Sequence, residues 1–239
     1  MSKHDKFILT PMSTILEEAI QASSGIGSGI ETYPLCDYIM QSIFLKMTGY
    51  QEQKMKCIAW EIATNNFEYR RRLLNNDDKL GECSTYDSKN KIYKALFKQI
   101  KSIDSNYEIE QSIKVRIKNN SFNKVKDMFM DTNLVTWNKK LFNDFLESKL
   151  IKETQYLNNS NNLLENIIQE KYDEIYKQRN RLAHNTQSYQ QNLPDFKMLS
   201  IEKEYSRNYF LWFAILLLID NIFIELYKIY IDLFENCIV

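Results

Sequence analysis

The sequence predicts an all-α protein, and three observations carry that reading. Glycine and proline are scarce, at 5 and 3 in 239 residues. Tight turns draw on those two residues and an all-β fold needs many of them, whereas long helices need few connections. Apolar residues recur at helical spacing, as in Met55, Ile58, Ala59, Ile62 and Phe67. Finally, the segment 202–236 is strongly apolar, as a central core helix should be.

Length and composition set the frame. The chain is long enough to bury a real core, and at 44% hydrophobic it is not a disordered chain. We read 1–239 as a single helical domain with additional helices around a bundle and a flexible N-terminal segment over 1–34. Lys and Arg number 31, matched by 31 Asp and Glu. With zero net charge, no global field draws the protein to nucleic acid, so any RNA affinity must come from local patches. Cys36, Cys57, Cys83 and Cys237 stand at no metal-ligand spacing, and they read as reduced thiols of a cytoplasmic protein. No metal and no cofactor is expected. The N-terminal apolar run is too short for a signal peptide.

The elements follow in order. Residues 12–22 form a short helix. Gly25, Gly27 and Gly29 punctuate the stretch up to Pro34; no Lys-Ser/Thr follows them, so this is a loop and not a phosphate cradle. Helices are expected over 35–48 and 51–74. Arg70, Arg71 and Arg72 close the second, where they complement the helix dipole or, in the sharper reading, form a phosphate-binding patch. A polar loop spans 75–90 and a helix 90–102. Residues 106–120 fit strand or helix. Lys114, Arg116, Lys118, Lys124 and Lys126 make this region locally basic, as a solvated face would be. Helices are expected over 121–130 and 134–157, followed by a polar break at 158–162.

The motif helix runs from about 163 to 185, and the core C-terminal helix from about 202 to 236. Tyr209 to Ile219 carries no charge, but Asp220, Asn221 and Glu225 then interrupt the run. A membrane span needs ~20 apolar residues, so we expect a buried core helix and no membrane.

One segment carries chemistry. Leu164, Ile168, Tyr172 and Ile175 step along one face of the motif helix, and continuing the stripe reaches Arg179 and Leu182. An arginine thus falls on the face to be buried. An unpaired buried guanidinium is costly, so Arg179 must meet a partner, a crevice or another subunit. His184 lies five residues on, and at ~100° per residue the two point about 140° apart. They share a face only if the helix bends or ends between them, or if two copies pool their side chains. Lys177, Arg181 and His184 do share a face, and Asn180 lies one turn before His184. The other histidine, His4, sits in an N-terminus expected to fray.

Arg179-Asn180-Arg181-Leu182-Ala183-His184 resembles the signature of the HEPN superfamily (higher eukaryotes and prokaryotes nucleotide-binding): an arginine, four to six residues, then a histidine, with a polar residue directly after the arginine. The resemblance covers about fifteen residues around the motif. It implies a HEPN-like helical bundle, a metal-independent endoribonuclease, and an active site built where two motifs face each other in a homodimer. It also implies a toxin or an antiviral, abortive-infection role, with a possible antitoxin or defence-system partner. One departure matters. Nucleotidyltransferase-controlled members carry a tyrosine two residues after the histidine, and here that position is Thr186.

What the resemblance implies for chemistry is attack by the RNA's own 2′-hydroxyl on the adjacent phosphorus, leaving a 2′,3′-cyclic phosphate and a 5′-hydroxyl. His184 would serve as acid or base, since histidine titrates near neutrality. Arg179 would hold the charge developing on phosphate. Asn180 would orient His184 or a phosphate oxygen, with Arg181, Lys177 and Asn185 as substrate contacts. Two rivals stand beside this: a catalytically silent HEPN module that binds nucleotides or a protein, and a helical interaction protein in which Arg179 pairs with an acid of its own chain. No Ser/His/Asp arrangement or phosphate loop supports another enzyme class.

Overall fold

In a computed structural model, residues 2–75, 81–158, 162–184 and 208–238 are described. Nine α-helices lie among them: α1 Lys3–Leu9, α2 Ser13–Ala22, α3 Tyr33–Asn65, α4 Phe67–Leu74, α5 Tyr86–Ile103, α6 Gln111–Phe129, α7 Lys139–Glu147, α8 Asn166–His184 and α9 Tyr209–Ile238. The described residues include no β-strand, only one antiparallel bridge between Tyr156 and Leu164. The fold is all-α.

Helix α9 is the axis. Nearly every residue from Tyr209 to Ile222 is buried, because the helix is apolar on all sides and must be covered on all sides. By length and composition alone it would pass as a membrane span; here α3, α5 and α6 cover it. Helix α3 runs alongside it in the same direction. Phe44 packs on Trp212 with ring centroids 5.1 Å apart, and Asn65 reaches the Tyr230 hydroxyl at 3.2 Å.

Midway between those contacts, the interrupting Asp220 meets a cation. Its Oδ1 accepts from Lys54 Nζ at 2.6 Å, and both side chains are buried. Asp220 Oδ2 accepts from the Met12 backbone at 2.8 Å, and Lys54 also donates to Thr10 O. Burial pushes the Asp220 carboxyl up and the Lys54 ammonium down, and each partner opposes the shift of the other.

The N-terminus corrects the expectation of a flexible 1–34. Ile8, Met12 and Leu16 are fully buried, and the Tyr227 hydroxyl donates to Asp5 at 2.6 Å. Nor is His4 frayed: it lies in α1, with Nδ1 2.8 Å from Glu61 Oε1. The expected loop after α2 does contain the three glycines, but Asn133 holds it through Ile26 O.

Other boundaries shift for local reasons. Helix α3 runs straight through Gly49. Its buried stripe, Met40, Phe44, Met47, Met55 and Ile58 among others, outweighs the ~1 kcal/mol that an interior glycine costs. Asn66 then breaks it, capping α4 by accepting from Tyr69 N at 2.8 Å. The ambiguous 106–120 resolves as α6, because Ile117, Ser121, Val125 and Phe129 are buried at intervals of four. The helix expected over 134–157 is only α7, flanked by 3-10 turns at Asn133–Asn138 and Glu153–Gln155. Tyr156 and Leu157 are both buried, and Leu157 adopts a φ of 54°, a left-handed backbone that an α-helix does not pass through.

Candidate functional site

Helix α8 begins at Asn166, later than expected, because α5 claims the backbone just before it. Asn90 Oδ1 accepts from Leu163 N at 2.9 Å, and the Tyr86 hydroxyl donates to Leu164 O at 3.0 Å. From there the predicted stripe holds: Leu164, Ile168, Tyr172 and Ile175 are all buried. The helix continues unbroken through the motif to His184, the last residue described before 208.

Arg179 lies where the stripe puts it, half-buried, with 21% of its side chain exposed. Its partner is in its own chain: Nη2 donates to Glu52 Oε2 at 3.2 Å, and Nη1 donates to Asn180 Oδ1 at 3.1 Å. Glu52 is itself nearly buried on α3, and its other oxygen takes Lys56 at 3.0 Å. A carboxylate is thus shared by two cations, and one of them is the motif arginine.

Beside Arg179 a narrow crevice is lined by Thr48, Ser84, Lys89, Tyr172, Ile175 and Tyr176. Lys89 is the unusual group here. Only 1% exposed, it donates to Cys83 O at 2.7 Å and lies 5.2 Å from the centroid of the Tyr172 ring. Burial pushes its ammonium down to about 7, with Arg179 adding to the depression and Glu52 opposing it. Burial pushes the Tyr172 phenol and the Cys83 thiol up.

His184 is exposed, as are Lys177 and Arg181, so the face these three share is the outer one. Asn180 is half-buried between the two faces. Because α8 neither bends nor ends before His184, one chain turns Arg179 inward against α3 and His184 outward. The two are not brought together within one molecule. Asn185 and Thr186 lie outside the described residues.

Chemically, Arg179 is a held guanidinium with part of its side chain still accessible, and His184 is an exposed imidazole on the outward side of the same helix. Glu52, Lys56 and Lys89 are the residues that sequence reasoning missed. The only available signal was that the α3 stripe runs through the polar segment Gln51 to Lys56. Among the described residues, no three His, Cys, Asp or Glu side chains gather as a metal site. Compared with protein-family models, with curated proteins and with solved structures, the chain gives no match.

Proposed function

We propose that the protein is a metal-independent endoribonuclease of the HEPN type, acting in the cytoplasm as a toxin or in antiviral defence, with an active site shared by two copies of the chain. The observation that carries this reading is the end of α8. A half-buried arginine is held by Glu52 and Asn180, and an exposed histidine lies five residues further along the same unbroken helix. An arginine that is oriented but not fully covered suits a phosphate clamp.

In this reading one His184 takes the proton from the RNA 2′-hydroxyl as its oxygen attacks phosphorus. The bond to the 5′-oxygen breaks, and a second His184, from the partner chain, gives that oxygen a proton. The products are a 2′,3′-cyclic phosphate and a 5′-hydroxyl. Arg179 carries the charge building on the non-bridging oxygens, and Asn180 orients the clamp. Arg181 and Lys177, on the exposed face with His184, contact the neighbouring phosphates. The outward turn of His184 supports the shared site, since one chain offers one imidazole at this end.

A second reading has its own observation. Arg179 is already paired with an acid of its own chain, as a helical interaction protein without nuclease activity requires, and a silent HEPN module is compatible with the same pairing. Expression of the wild type beside His184→Ala in bacteria, with total RNA run on a denaturing gel, separates the two. Discrete fragments from the wild type alone support the nuclease, and identical RNA patterns from both favour the silent module.

A further inference from the structure

The helices α3 and α4 meet at Asn66 and leave an open groove of about 530 Å³ between them, within the size range of small-ligand sites. Lys56, Ala59, Trp60 and Ala63 line it from α3 at intervals of three, one and three, and Arg70 and Leu73 face them from α4. The two alanines form a low floor beside the Trp60 indole, which is 64% exposed although tryptophan is usually buried. Phe67, at the start of α4, is equally exposed, and the Arg70 guanidinium sits 5.5 Å from the centroid of its ring.

Among the described residues the groove is lined by apolar side chains, the Trp60 indole and two cations, Arg70 and Lys56, the latter paired with Glu52. Flat aromatic faces beside cations are the elements with which proteins hold unpaired bases and their phosphates.

Two contacts link the groove to the motif. Lys56 is at once its edge and the second partner of Glu52, whose other oxygen holds Arg179. Cys83 lines the groove, while its carbonyl accepts from Lys89 in the crevice beside Arg179.

We infer that the α3–α4 groove binds a base and flanking phosphate of single-stranded RNA and leads that strand to Arg179. The inference rests on the ribonuclease reading for the identity of the strand. It gives Arg70 the phosphate-binding role that the sequence left open against a dipole role. Arg71 is not among the residues that line the groove, and it pairs with Glu68 at 3.1 Å.

The test uses the full chain carrying His184→Ala, so that a 12-nucleotide single-stranded RNA survives, with affinity read by fluorescence anisotropy. Trp60→Ala and Arg70→Ala should each weaken binding about tenfold, Trp60→Phe should restore most of it, and added salt should weaken all forms. Both substituted side chains are exposed, so the fold is kept and circular dichroism verifies it. Unchanged affinity in Trp60→Ala overturns the groove assignment. So does a change in sedimentation without a change in RNA affinity, which would make this face a contact between copies of the chain. The two readings fail separately. Cleavage by wild type with Trp60-independent binding removes the groove and keeps the nuclease. Trp60-dependent binding with a wild type that leaves RNA intact keeps the groove and removes the nuclease.

Discussion

The Arg179 guanidinium is held at 3.2 Å by Glu52, an acid 127 positions earlier in the same chain. The contact fixes the inward edge of the arginine and leaves the rest available. Glu52→Gln should therefore lower RNA cleavage about 10- to 100-fold, since small misplacements of a catalytic group cost that much. Stability should fall by only ~1 kcal/mol. Cleavage rates beside urea midpoints check this. If Glu52→Gln and Arg179→Ala lose stability together and the double variant loses no more, with activity untouched, the pair is purely structural.

A site shared between two chains depends on protein concentration. Specific cleavage activity should fall as the enzyme is diluted through its dimer dissociation constant, in parallel with the dimer fraction from sedimentation. Constant specific activity in a fully monomeric sample contradicts the shared site.

The buried Lys54–Asp220 pair should be costly to break and cheap to replace. Asp220→Ala leaves an ammonium uncompensated in the core and should cost about 3–5 kcal/mol, whereas Lys54→Met with Asp220→Leu should come near neutral. Equilibrium urea unfolding measures both. A double variant as unstable as the single one would show that the tie to Met12 N, not the charge pair, is what matters.

Lys89 gives a pH signature. Its folded ammonium lies at about 7, against an unfolded value near ~10.4. Between these values the unfolded chain binds the extra proton, so this group makes stability rise with pH from about 7 to about 10. Below 7 both states are protonated, and the folded state bears the cost of burial. Lys89→Met should flatten that slope in chemical unfolding measured at several pH values. A slope identical to wild type would place the effect elsewhere.

Much of this was legible in the sequence, and the failures have identifiable causes. Period and composition predicted α9 and the α8 stripe, because both are decided by local burial. They also predicted that Arg179 would need a partner. Which partner could not be read, because Glu52 sits in a polar-looking stretch of α3 and only tertiary packing shows that the stretch crosses the core. Asp220 was visible as an interruption of an apolar run, whereas nothing in the sequence singled out Lys54 as its partner. Their pairing depends on the parallel register of α3 and α9. Helix α2 was legible as the short helix expected over 12–22, whereas α1 was missed because its seven residues are too few to be stable alone. Their order comes from contacts more than 200 residues away, through Asp220 and Tyr227.

Product chemistry tests the central claim most directly. Purified wild type, Arg179→Ala and His184→Ala would be incubated with a synthetic single-stranded RNA in excess chelator, and the fragment ends mapped by mass. The account predicts 2′,3′-cyclic phosphate and 5′-hydroxyl ends from the wild type, with cleavage lost in both variants although each stays folded. Full cleavage by His184→Ala, or RNA left intact by a dimeric wild type, would contradict it.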